Sequence, residues 1–151
     1  MKIKLLITGG VINKVYDIKY KKLSFSSQSI FNILNQMNCT SDISIETLFL
    51  KEIQNINKKD MKLIAKSCEL ANEDKILINF NSLKNREQTL NLLDKLNYLK
   101  KKKTILIFDS TIPYQFEDSD ALFNLGAVIT VIPYLKNGIF IFKETKIIEQ
   151  G

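Results

Sequence analysis

The chain has no histidine among its 151 residues. A Cys/His pair and a Ser/His/Asp triad are therefore excluded, because both need an imidazole as the base. The two cysteines, Cys39 and Cys68, lack CxxC spacing, so a zinc site is not expected. Cys68 falls on an apolar helical stripe, and we expect both thiols to be reduced and at least partly buried. The sequence predicts no metal and no cofactor.

Proline and glycine are scarce, and long apolar runs are absent. Two prolines and five glycines leave no room for a long flexible linker, and the length predicts one domain over residues 1–151 with a substantial core. The first apolar run, Ile3 to Ile7, is far too short to cross a bilayer. No amino-terminal segment has the apolar region and cleavage site of a signal peptide. We therefore expect a cytoplasmic protein with no membrane partner.

The charge is basic, with 22 Lys+Arg against 16 Asp+Glu and a net charge of +6. Nucleic-acid binding would require these charges to cluster on one face. The lysines are instead dispersed, apart from the run Lys100–Lys103. That run lies at a predicted helix-to-strand junction, where lysines oppose the helix dipole favourably. Nucleic acid is therefore not the expected partner.

Short apolar segments alternate with helical periodicities along the chain. Strands are predicted near residues 2–8, 43–50, 75–80, 104–108 and 138–142, with 145–148 as an edge partner. Helices are predicted after Ser26, after Asn57, over residues 85–99 and over residues 118–130. This order predicts an α/β fold, a mostly parallel sheet flanked by helices. Function then belongs at the carboxyl ends of the strands, where we expect Gly9, Asn81 and Asp109 to gather.

Four separated segments carry a recognisable pattern. They are Thr8-Gly9-Gly10-Val11-Ile12 followed by Tyr16, Leu77-Ile78-Asn79-Phe80-Asn81-Ser82-Leu83, Lys103-Thr104-Ile105-Leu106-Ile107 leading to Pro113, and Asp118-Ser119-Asp120-Ala121-Leu122-Phe123-Asn124-Leu125-Gly126. Their order and spacing resemble the amino-terminal domain of the asparaginase/glutaminase family, and best its short, single-domain relatives. The resemblance implies an α/β domain of asparaginase amino-terminal type. It also implies a homodimer or larger assembly, since the family's sites form near subunit contacts.

The family's chemistry, carried over by resemblance, uses a loop threonine as nucleophile and a second threonine beside an Asp and a Lys. Val11 stands at the nucleophile position and has no oxygen. Ser82 stands at the second threonine and Leu83 at the adjacent Asp, while Lys103 matches the Lys. Tyr16 matches the tyrosine that helps to activate the nucleophile. The sequence therefore keeps parts of this constellation and lacks its central group.

Two hypotheses about function follow from these positions. In the first, the protein is an asparaginase-like pseudoenzyme that retains a strand-end pocket for a small amino-acid or amide ligand, or for a partner. That pocket is expected to contain Thr8, Gly9, Gly10, Val11, Tyr16, Asn81 and Leu83, with Ser82 and Lys103 as catalytic remnants. Losing a nucleophile that acts as part of a unit costs on the order of a millionfold in rate. In the second, the protein is an active amidohydrolase that releases ammonia from a small amide by means of Ser82 and Lys103.

Overall fold

The apolar segments form eight strands in a computed structural model that describes residues 1–151. The strands are β1 (Lys2–Ile7), β2 (Lys14–Asp17), β3 (Lys22–Phe25), β4 (Asp42–Thr47), β5 (Lys75–Asn79), β6 (Thr104–Phe108), β7 (Gly138–Lys143) and β8 (Lys146–Gln150). Six of them make one sheet in the order β4-β1-β5-β6-β7-β8, and β2 and β3 form a separate antiparallel hairpin. All pairs in the large sheet are parallel except β7 with β8. The predicted adjacency of β1, β5 and β6 is confirmed.

Four helices cover the sheet: α1 (Ser29–Gln36), α2 (Lys58–Leu70), α3 (Arg86–Leu96) and α4 (Ala121–Val131). Asn57 caps α2 by accepting a hydrogen bond from the Asp60 amide at 2.9 Å, and Asn85 caps α3 in the same way. A membrane-crossing helix, which would need greater length and apolarity, is not found among them.

The helix and strand boundaries differ from the predictions at several places, three of which concern the loops at the carboxyl edge of the sheet. The second predicted strand ends at Thr47, so Leu48–Leu50 belongs to the following loop. The segment after Val11, for which no strand is predicted, forms the β2–β3 hairpin. The last helix begins at Ala121 rather than Asp118, because the Asp120 carboxylate is bound to the preceding loop.

The core lies on both faces of the sheet because successive strand residues point in opposite directions. On β5, Leu77 packs with the residues of α1 and α4, whereas Ile76 and Ile78 pack with those of α2 and α3. Cys68 of α2 is fully buried in the second cluster, as its position on an apolar stripe predicts. Helices thus cover both faces of the sheet, and the loops that follow the parallel strands lie at its carboxyl edge.

Candidate functional site

The loops that follow β1, β5 and β6 meet at the carboxyl edge of the sheet. The Thr8 hydroxyl donates to the Asn79 carbonyl, and the Gly10 amide donates to Asn79 Oδ1 at 3.3 Å. Gly9 has a φ of +99°, and a Cβ there would lie 2.5 Å from the Lys51 amide nitrogen. The chain can turn at this point only with a residue that lacks a side chain. The glycine pair therefore brings the first loop against its neighbours.

Asp109, the first residue after β6, accepts hydrogen bonds from this loop. Its Oδ2 accepts the Val11 amide at 2.9 Å, and its Oδ1 accepts the Ile12 amide at 3.1 Å and Asn79 Nδ2 at 3.2 Å. A Cβ on Gly10 would lie 2.5 Å from Asp109 Oδ1, so this carboxylate needs a glycine above it.

No cation accompanies this half-buried charge, since none of the ion pairs in the structure includes Asp109. Burial is the main cause that raises the pKa of Asp109 to about 6, and the hydrogen bonds from Val11, Ile12, Ser110 and Asn79 oppose that rise. A negative charge, stabilised by amides alone, therefore lies beneath the loop at neutral pH.

A second carboxylate, Asp120, braces the loop after β6. It accepts the Thr111 amide at 2.9 Å, the Thr111 hydroxyl at 3.1 Å and Asn124 Nδ2 at 3.1 Å. The same Asn124 amide donates to the Asp109 carbonyl at 2.9 Å. The start of α4 is thereby tied to the end of β6, which fixes both carboxylates relative to each other.

A pocket of about 500 Å³ opens above these residues. Val11 and Phe142 supply buried apolar surface, whereas Leu83 and Phe123 are 50% and 59% exposed. The polar lining consists of Asn81, Lys84, Asp109, Ser110, Thr111, Asp120, Asn124, Glu144 and Thr145. The volume is within the range of small-molecule sites.

The structure places the predicted pocket residues in three positions. Val11, Asn81 and Leu83 line the pocket. Thr8, Gly9 and Gly10 lie buried outside the lining and support it. Tyr16 lies on the hairpin with 43% of its surface exposed, away from the lining, and its amide donates to Gln115 Oε1 at 2.9 Å. The first loop therefore contributes Val11 to the pocket but not the tyrosine.

Ser82 and Lys103 are not brought together, which corrects their expected pairing at one site. Lys103 precedes β6 and lies at the amino edge of the sheet, where its ammonium donates to the carbonyls of Ala71 and Glu73 at 2.7 and 2.9 Å. The five residues of β6 separate that edge from the pocket by roughly 16 Å. Ser82 is buried outside the lining, and its carbonyl accepts the Thr89 hydroxyl at 2.8 Å.

Sequence reasoning missed the roles of several residues in the pocket. Asp109 was expected at this edge only as the start of a loop, and Phe123, Phe142 and Glu144 were not expected there. One signal was present, because an amide, Asn79, ends β5 and a carboxylate, Asp109, directly follows the neighbouring strand β6. The contribution of Phe142 and Glu144 depends on β7 lying next to β6, and the expected site was drawn from β1, β5 and β6 alone.

The chain folds as an α/β domain with a mostly parallel six-stranded sheet, an architecture similar to that of the amino-terminal domain of L-asparaginases. Three solved structures match this fold over nearly the whole chain. The thermostable L-asparaginase from Thermococcus kodakarensis has a TM-score of 0.78 at 20% identity, covering 97% of this chain and 45% of its own. L-asparaginase I from Vibrio cholerae O1 biovar eltor str. N16961 has a TM-score of 0.82 at 16% identity, covering 98% and 46%. The probable cytoplasmic L-asparaginase from Campylobacter jejuni has a TM-score of 0.76 at 19% identity, covering 98% and 46%.

These likenesses establish the fold. The chain spans less than half the length of each of the three solved chains. No protein-family model and no curated relative matches the sequence. The expectation of a domain of asparaginase amino-terminal type is thus confirmed for the fold alone.

Proposed function

We propose that this domain binds a small molecule in the carboxyl-edge pocket and does not hydrolyse amides. The observation that carries the proposal is Val11, which lines the pocket at the loop position where a hydroxyl nucleophile is expected by resemblance. Its side chain has no oxygen, and its amide is bound to the Asp109 carboxylate at 2.9 Å. A binding site without an attacking group is the simplest consequence of that arrangement.

The hydroxyls that line the pocket are engaged in holding loops. Ser110 donates to the Ile112 carbonyl at 3.0 Å, and Thr111 donates to Asp120 at 3.1 Å. Thr145 donates to the carbonyl of Glu144. Asp120 also accepts two backbone amides and the Asn124 side chain, so its oxygens serve the loop rather than a reacting proton.

The loop amides are also unavailable to a developing oxyanion. Amide hydrolysis passes through a tetrahedral intermediate that needs free N–H donors aimed at its oxygen. The amides of Val11 and Ile12 already donate to Asp109. Because that acceptor is negatively charged at neutral pH, an oxyanion placed nearby would be repelled.

The test is ammonia release from asparagine by the unmodified protein, Val11→Thr, and Val11→Thr combined with Leu83→Asp. We expect no release above background from the first two, because Val11→Thr restores a hydroxyl without the carboxylate that recognises the substrate ammonium. The double variant is the minimal repair. Val15→Thr, the same change on the hairpin outside the pocket, is the matched control.

Ready release by the unmodified protein would contradict the proposal. If Ser82→Ala then abolished that release, the amidohydrolase hypothesis would replace it, because truncating a working nucleophile lowers kcat by orders of magnitude.

A further inference from the structure

The charge of the pocket is opposite to that of the chain. Its lining contains three carboxylates, Asp109, Asp120 and Glu144, and one ammonium, Lys84, which gives a formal net charge of −2. The chain as a whole carries +6. A random sample of this surface would be basic, so the acidic lining is a local property of the site.

The innermost of these charges is Asp109, and it lacks a cationic partner. Buried charges in proteins are ordinarily paired with an opposite charge or with a metal. Asp109 has only amide donors, and Lys84 forms no ion pair with any of the three carboxylates. The pocket therefore holds an electrostatic potential that a positively charged ligand would neutralise.

The rim of the pocket is apolar. Leu83 after β5 and Phe123 on α4 leave half or more of their surface in solvent. Phe142 and Val11 continue that apolar surface into the buried wall. Glu144 adds a charge to the lining beside this apolar surface, from the tight turn between β7 and β8, where its φ is 48°. A ligand that covered this rim would need an apolar body.

We propose that the pocket selects small organic cations, that is, amines with an apolar or aromatic body, over neutral and anionic molecules of the same shape. This inference rests on the proposed function, because it names the ligand class of the same pocket. The ammonium is attracted by the acidic lining, and the apolar body contacts Leu83, Phe123 and Phe142. An anion is disfavoured because Asp109 already occupies the loop amides that would otherwise bind it.

The test uses three probes with a common phenyl body: phenethylamine, phenethyl alcohol and hydrocinnamate. Each is titrated into the isotopically labelled full chain, and the amide resonances of Val11, Ser110 and Thr111 are followed. We expect phenethylamine to shift these resonances with an affinity at least about tenfold above that of the alcohol, since attraction between charges a few ångströms apart is strong near a protein surface. Hydrocinnamate should not shift them.

Two variants distinguish charge from shape. Glu144→Gln should weaken binding of the amine by up to about fivefold and leave the alcohol unchanged, because the lost charge is exposed and its effect modest. Glu69→Gln removes the same charge from exposed α2, outside the pocket, and should change neither. Phe123→Ala should weaken the amine and the alcohol together.

The inference is overturned if the alcohol or hydrocinnamate binds as tightly as the amine, or if none of the probes moves the pocket resonances. Selective binding of the uncharged probe at these amides would still support a binding pocket. Ammonia release from asparagine, in contrast, would overturn the proposed function whichever probe bound.

Discussion

Asp109→Asn should remove a pH dependence of stability that the unmodified protein shows between about pH 4 and pH 7. Burial raises the pKa of Asp109 to about 6 from its ordinary 3.8, so the folded state binds this proton more tightly than the unfolded state. The contribution of Asp109 to stability is therefore greatest at low pH. It is lost as the pH rises through the unfolded pKa towards the folded one.

The size of the effect follows from the difference between the two pKa values. A shift of about two units corresponds to about 3 kcal/mol of unfolding free energy over the whole titration. At about pH 4.5 the unfolded carboxyl is already largely ionised, so about 2 kcal/mol of the loss falls between pH 4.5 and pH 7.5. That is a large fraction of the stability of an ordinary domain.

The asparagine has a cost of its own that does not depend on pH. Its carbonyl oxygen can accept from Ile12 and Asn79 as Asp109 Oδ1 does, but its NH₂ group then faces the Val11 amide. One unpaired buried amide costs about 1–3 kcal/mol. The quantity that reports on Asp109 is therefore the change with pH in the stability difference between the two proteins, not the difference at one pH.

Urea unfolding of both proteins at a series of pH values measures that change. Asp94→Asn, which removes an exposed carboxyl from α3, is the matched control and should leave the pH profile close to that of the unmodified protein. A stability difference between Asp109→Asn and the unmodified protein that stays constant from about pH 4.5 to pH 7.5 would refute the reasoning, because a buried, cation-free carboxyl must titrate differently in the two states.

Four further outcomes are expected. Gly9→Ala should destabilise by at least about 1–3 kcal/mol in urea unfolding, because φ is +99° and the new Cβ meets the Lys51 backbone, whereas Gly151→Ala in open space should change nothing. Lys103→Met should lower the free energy of unfolding by about 1–3 kcal/mol, because it leaves the Ala71 and Glu73 carbonyls without their donor. It should not affect probe binding in the pocket, and an equal loss of stability from Lys102→Met at an exposed position would contradict this prediction. Thiol reagents should modify Cys39 in the native protein but not Cys68, because burial raises the pKa of the Cys68 thiol to about 12. Labelling of both cysteines before unfolding would contradict the burial of Cys68 in the core. Light scattering at micromolar concentration should give a homodimer or larger assembly, as the family resemblance implies, and a monomer would count against that expectation.

Most helices and strands of the fold were predictable because the pattern that indicates each of them lies within one short stretch of sequence. Continuous apolar runs such as Thr104–Phe108 can be satisfied only by burial on both faces, and the i, i+3, i+4, i+7 spacing after Asn57 fits only a helix. The hairpin at residues 14–25 was not predictable in this way, because its strands are short and none of their residues is buried. It contacts the rest of the domain through residues far apart in sequence, as where the Tyr16 amide donates to Gln115.

The candidate site was predictable in part. Val11, Asn81 and Leu83 follow strands whose carboxyl ends must share an edge, so their proximity follows from topology. Lys103 was matched to the family's lysine from the residues beside it in the sequence, and it does not lie in the pocket. A residue that precedes a parallel strand lies at the opposite edge of the sheet from one that follows it. The half-buried position of Asp109 without a counter-ion was not predictable from the sequence, since the amides of Val11 and Ile12 that bind its carboxylate lie about a hundred positions earlier in the chain.

The place of β1 within the sheet has a consequence for how the polypeptide reaches this structure. β1 lies in the interior of the sheet and precedes both of its partner strands in the chain, because residue 2 pairs with residue 42 and residue 3 with residue 75. To form parallel pairs between residues so far apart in sequence, the chain must close a long loop before it gains stabilising contacts. This requirement slows folding. A nascent chain that has not yet emerged to β5 presents an apolar strand with an open hydrogen-bonding edge, a surface that promotes association between chains. The residues of β1 therefore depend on strands that are synthesised later for protection of their hydrogen-bonding edges.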